Sequence, residues 1–273
     1  MIKNSTIHNT IFMFSVLSLI ILPFNVAGPA LCDEASNLLL LQGINSLDQA
    51  YNDWDEEMFE ESLTKFEIAA KMGRQDGLAE YWSGTAYFFL SLHNLFSLGT
   101  TPDKGRGSNN ARKGIEILTR SIEHNPDFSE SYALRGVLRG ILIKMKPLSV
   151  FTQGAKVGKD REKALALDAN NPRVYYLTGV SFWFAPEILG GSDKALEHLK
   201  IAESLFEKKG ERKTTDFHPS WGQSSCLAFI GDIYASQKQD QNAYIYYKKS
   251  LEVNPNDPLA LRGMNKLDDI KTK

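Results

Sequence analysis

The chain is predicted to be all-α, a solenoid of antiparallel helical hairpins. Three observations lead there. No alternating apolar–polar pattern longer than four residues occurs, so strands are not expected. Four glycines, Gly84, Gly136, Gly179 and Gly231, sit inside helix-like stretches rather than at their ends. A small residue precedes three of them by the same fifteen positions: Ala69 to Gly84, Ser121 to Gly136 and Ala164 to Gly179. Small residues at matched positions remove the bulk that keeps two helices apart, and aromatics fill the gaps beside them.

The elements follow in chain order. Segments 37–51 and 60–72 make a first, atypical hairpin. The glycine register then gives hairpins over about 77–128, 129–171, 172–223 and 224–257, the first spanning 36–76. Asn125-Pro126 and Asn254-Pro255 end second helices, because proline drives the preceding residue out of helical geometry. Gly190-Gly191-Ser192-Asp193 supplies a left-handed stop and a serine start for a helix over 193–206, with Ala195, Leu199 and Ala202 on one face. Pro219-Ser220-Trp221-Gly222 is expected to open the next helix and to pack Trp221 on the previous one. A polar-faced helix over 258–271 can cap the open end.

The last unit reads Leu227-x2-Ile230-Gly231-x2-Tyr234, then Ala243-x3-Tyr247, Ser250 and Pro255. This resembles the tetratricopeptide repeat, whose 34-residue unit runs W-x2-L-G-x2-Y, A-x3-F, P. Gly231 to Ser250 spans the nineteen positions the unit requires. The resemblance covers about 36–271 and implies a right-handed α-solenoid of about five hairpins plus a cap. The departures are longer spacings: Gly84 to Ser121 is 37, Gly136 to Ala164 is 28 and Gly179 to Ala202 is 23. The excess segments, about 97–110, 144–158 and 186–191, are expected in the turns within hairpins, where they would stack as one ridge. A fourth, 207–219, is charged and expected on the opposite edge as a solvated loop.

By the same resemblance, first helices line a concave face. This assigns a groove to Tyr81, Thr85 and Phe88 of one unit, and to Tyr176, Val180, Trp183 and Phe184 of another. Such a surface either receives an apolar protein segment or is covered by the chain's own insertions, with Leu148 and Phe151 as the natural covers. The ridge carries Lys104, Arg106, Lys144, Lys146 and Lys156 against Asp103 and Glu187, a basic edge for lipid phosphates or an acidic partner.

The N-terminus has a separate meaning. Residues 1–10 hold Lys3 and no acid, residues 11–24 are uncharged and mostly apolar, and Gly28 and Ala30 precede a cleavage point. That is the three-part pattern of a secretory signal over 1–30, leaving a helical domain over 31–273. An apolar run of fourteen is short against the roughly 20 residues of a membrane span, which favours cleavage over a retained anchor. Leu31 stands where a bacterial lipobox wants a small residue, which disfavours lipidation at Cys32. Cys226 is expected as a buried apolar residue. Location is therefore expected in the bacterial periplasm.

The net charge of −2 argues against a general nucleic-acid binder. No H-E-x-x-H, G-x-S-x-G, phosphate-loop or C-x-x-C pattern occurs, and His93, His124, His198 and His218 have no second ligand at metal-binding spacing. The expectation is a non-enzymatic interaction protein of the cell envelope that uses no cofactor and binds another protein. The alternative is an accessory subunit of an envelope transport complex.

Overall fold

The computed structural model describes residues 29–74, 76–96, 101–185, 191–209 and 217–271. Eleven α-helices occupy them: α1 (Pro29–Asp53), α2 (Glu56–Lys71), α3 (Leu78–Leu95), α4 (Lys104–His124), α5 (Ser129–Met145), α6 (Val150–Leu167), α7 (Pro172–Trp183), α8 (Gly191–Lys209), α9 (Gln223–Ser236), α10 (Asp240–Val253) and α11 (Pro258–Lys271). No strand occurs among the described residues. The chain is an all-α solenoid. Consecutive helices pair, and the odd-numbered helices α3, α5, α7, α9 and α11 also pack in series on one side.

Side-chain caps set several starts. Asp55 accepts from the Met58 amide at 3.1 Å, Asp103 from Arg106 at 2.9 Å, and Asn171 from Arg173 at 3.0 Å. Each satisfies one of the orphan amides at a helix start. Most of the expected signal, residues 1–28, lies outside the described residues. Helix α1 begins at Pro29, so a cut after Ala30 would fall in its first turn. Among the described residues no helix is long and apolar enough to cross a membrane.

The excess residues are not chiefly turns. Helices α3 and α4 are 18 and 21 residues long, against 14 each for α9 and α10. Residues 104–110 are helix because Asp103 caps them and because Gly107 and Ser108 let α4 lie against α5. A Cβ on Gly107 would stand 2.4 Å from the Met145 methyl. Likewise 144–158 collapses to one tight turn, Pro147–Ser149, before α6 continues as helix. Residues 97–100, 186–190 and 210–216 lie outside the description.

The two ends of the solenoid meet. Tyr51 of α1 donates to Asp257 at 2.7 Å and shares a 2.7 Å hydrogen bond with Ser225 of α9. Asn254 donates to Asn52 at 2.9 Å. Because α1 also contacts α11, the inner faces of the odd helices surround a filled interior.

Three of the four marker glycines are places where a Cβ has no room. At Gly84 it would stand 2.5 Å from Leu118, at Gly179 2.7 Å from Leu199, and at Gly231 2.6 Å from the Tyr247 ring. That ring is trapped from the other side too, since a Cβ on Gly263 would lie 2.2 Å away. Gly136 differs, with its nearest neighbour at an ordinary 3.4 Å. Gly231→Ala should therefore cost about 1–3 kcal/mol by overpacking. Gly136→Ala should be neutral or stabilise by up to about 1 kcal/mol through helix propensity. Urea unfolding of both variants checks this, and equal effects would remove the close-packing account of Gly231.

Candidate functional site

The concave face is occupied by the chain itself. Phe217–Gly222, between α8 and α9, turns inward against α3 and α7. Of the solvated loop expected over 207–219, residues 207–209 are helix, 217–219 belong to this inward turn, and 210–216 lie outside the described residues. Gly222 starts α9 with φ of 107°, a left-handed conformation natural to glycine. That turn aims Trp221 at α3 and α7. Its ring lies 6.1 Å from Phe88, 5.3 Å from Phe89 and 6.0 Å from Tyr176, and its Nε1 donates to the Tyr81 hydroxyl at 3.1 Å. Trp82 of α3 donates to the Phe217 carbonyl at 2.9 Å.

A buried ion pair holds this segment in place. The Arg173 Nε meets Glu130 at 2.9 Å, and both side chains are essentially inaccessible. The two remaining Arg173 nitrogens donate to the carbonyls of Pro219 and Trp221. Glu130 also accepts from Asn171 at 2.8 Å and from Tyr81 at 3.0 Å. Burial alone would raise the Glu130 carboxyl, but the Arg173 charge and these donors outweigh it and hold it below its ordinary value. One arginine thus links α5, α7 and the inserted segment.

The structure places the expected groove residues as follows. Tyr81, Thr85, Phe88, Tyr176 and Val180 are fully buried, Phe184 nearly so, and Trp183 is half-buried. Tyr81, Phe88 and Tyr176 come together around Trp221, whereas Phe184 packs on Phe96 and Phe229. The cover is not the one expected. Leu148 and Phe151 are 81% and 86% exposed and cover nothing. Sequence reasoning missed Trp221 as cover and Arg173 as its anchor. The signal was present in Trp221 beside Gly222, but its partners lie more than forty residues away in α3 and α7.

The expected basic residues all lie at the surface. Lys104 and Arg106 open α4, beside Met145, whose neighbours are Lys144 and Lys146. These four share one edge, and Lys156 lies farther along α6. Arg106 is paired with Glu56 at 2.6 Å. Leu148 and Phe151 stand on the turn between Lys146 and Lys156, giving this edge two bare apolar side chains.

Among the described residues, recesses of the C-terminal half include one of about 260 Å³ between α8, α9 and α10, lined by Glu203, Leu227 and Lys249, and two more. One, of about 320 Å³, lies in the seam where α1 meets α9 and α10, lined by Asp48, Tyr51, Trp221 and Asn254. Asp48 keeps solvent access, yet the surrounding walls desolvate it and raise its carboxyl to about 6. The other, of about 270 Å³, lies between α11, α9, α10 and the ends of α3 and α7. Among the described residues no cluster of His, Cys, Asp or Glu could hold a metal ion. Cys226 is buried, its thiol raised by that burial.

Solved structures share this architecture, among them the following two. The HusA haemophore from Porphyromonas gingivalis superposes with a TM-score of 0.57 at 19% identity, over 72% of this chain and 92% of that one. TTC0263, a tetratricopeptide-repeat protein of Thermus thermophilus, gives 0.56 at 18% identity, over 82% and 98%. The chain has the tetratricopeptide-repeat fold. No family model matches it, and no curated protein matches it in sequence. Solenoid curvature creates an extended concave surface; here the Phe217–Gly222 segment packs into it.

Arg173→Met should destabilise by about 3–5 kcal/mol, because it leaves the Glu130 charge buried without its partner. Glu130→Gln should cost a similar amount, and the double variant less than the sum. Since the folded Glu130 value is depressed, its stabilising contribution is present above about pH 4.3 and is lost as pH falls below that. Glu130→Gln should flatten the acid limb of a stability–pH curve, which thermal melts at several pH values would detect.

Proposed function

We propose that this chain is a non-catalytic interaction protein of the bacterial cell envelope, holding a partner protein on its outer edge. One observation carries the reading. The concave face is filled by the chain's own segment, while Leu148 and Phe151 stand bare beside Lys144 and Lys146. Large apolar side chains kept exposed at a tight turn, ringed by like charge, are the pattern of a contact surface with an acidic rim on its partner. Export follows from the signal pattern of residues 1–30.

A second reading is delivery of a small ligand to an envelope transport complex. The recess of about 270 Å³ beside α11 favours it. One of the solved structures named above is, by its title, a haemophore.

The test is a photo-crosslinking residue placed at Phe151 and, as control, at exposed Tyr244 in the full chain, followed by fractionation and N-terminal sequencing. The expected outcome is one dominant protein crosslink from position 151, absent from 244 and lost with Lys144→Glu/Lys146→Glu, in an envelope fraction with a new N-terminus at Leu31. Crosslinks to lipid alone, or equal crosslinking from both positions, would overturn the partner-protein reading.

A further inference from the structure

The recess beside α11 contains a buried cation whose hydrogen-bonding capacity is not used. Arg262 is 6% exposed. Its Nη2 pairs with Asp232, while its Nε and Nη1 have no hydrogen-bond partner. The guanidinium lies 3.9 Å from the centre of the Phe96 ring, a contact that accepts positive charge but satisfies no N–H directionally. Leaving such donors unmet is costly in a folded protein, so an observed case calls for a partner.

The surroundings say what that partner is. Lys266 lies one helical turn beyond Arg262 and lines the same recess. Among the described residues it makes no ion pair. Its side chain is exposed, yet desolvation by the recess wall and then the neighbouring Arg262 charge lower its ammonium, against an opposing attraction from Asp232. Two carboxylates also line the recess. Asp232 is engaged by both Arg262 and the Tyr247 hydroxyl, the latter at 2.8 Å, and Asp240 is exposed at the start of α10. The recess thus holds two cations and two carboxylates, and what it leaves open is directional: two Arg262 donors without a hydrogen bond and the Lys266 ammonium at the rim. The remaining lining is flat and apolar, supplied by Phe96, Trp183, Tyr247 and Leu267. A volume of about 270 Å³ falls just below the usual range of ligand pockets, which restricts the site to a small molecule.

We infer that this recess binds a small organic monocarboxylate bearing a flat apolar group. The carboxylate is held between Arg262 and Lys266, and the apolar part lies against Phe96 and Trp183. A singly charged carboxylate fits better than a phosphate, because Asp232 already cancels part of the Arg262 charge. The inference gives the ligand-delivery reading its chemical class and does not depend on partner binding at the α5–α6 edge.

The experiment uses the purified full chain without any partner, so its failure leaves the edge reading untouched. Titrations with indole-3-acetate, benzoate, the uncharged indole-3-acetamide and inorganic phosphate are followed by calorimetry and by amide chemical shifts. The expected result is binding of at least one acid, with shifts at Asp232, Gly263 and Lys266. The amide should bind at least about tenfold more weakly, as loss of a charge-assisted contact requires. Lys266→Gln, at an exposed position, should weaken acid binding several-fold with an unchanged melting temperature, and Arg262→Gln should abolish it. Equal affinity for acid and amide, phosphate binding as tightly as the acids, unaltered binding by Lys266→Gln, or no binding of either acid at millimolar concentration would each overturn the inference.

Discussion

The position of one buried guanidinium governs the interior of this protein. Arg173 commits one nitrogen to Glu130 and the other two to the carbonyls of Pro219 and Trp221. An ion pair of this kind contributes little net stability compared with apolar packing, but removing one partner strands the other. Its effect is therefore positional. It fixes the Phe217–Gly222 segment, the segment carries Trp221 into the concave face, and Trp221 gathers Phe88, Phe89 and Tyr176 into one core.

Closure of the solenoid follows from the same filling. A repeat array with an empty concave face needs no contact between its ends, since each unit touches only its neighbours. Here Tyr51 of the first hairpin reaches Ser225 and Asp257 near the last. Filling the interior brings distant units into one packed body. Among the described residues, accessible features include the edge at Leu148 and Phe151 and the recesses of the C-terminal half.

Legibility varied with the range of the interaction. The expected hairpin over 224–257 overlies α9 and α10, because Gly231, Ala243 and Tyr247 pack within one unit and repeat a local rule. The spacing excess after Gly84 was visible but its form was not. Whether residues 104–110 are turn or helix depends on Met145 of the next hairpin lying over Gly107. Gly136 looked like the other glycines in sequence, and only the packing shows that its Cβ position is open.

The sequence by itself determined the helical class, the pairing of helices within units and the surface position of the basic residues. Those properties rest on periodicity, small residues at fixed spacing and charge, all of which act over one or two turns. Only the tertiary structure decided that the aromatic face is closed, which segment closes it, and that Arg262 faces a recess with donors unmet. Each of these depends on contacts between residues separated by tens to hundreds of positions. No local pattern encodes such a contact, because the partner's approach is set by the summed curvature of every hairpin between them.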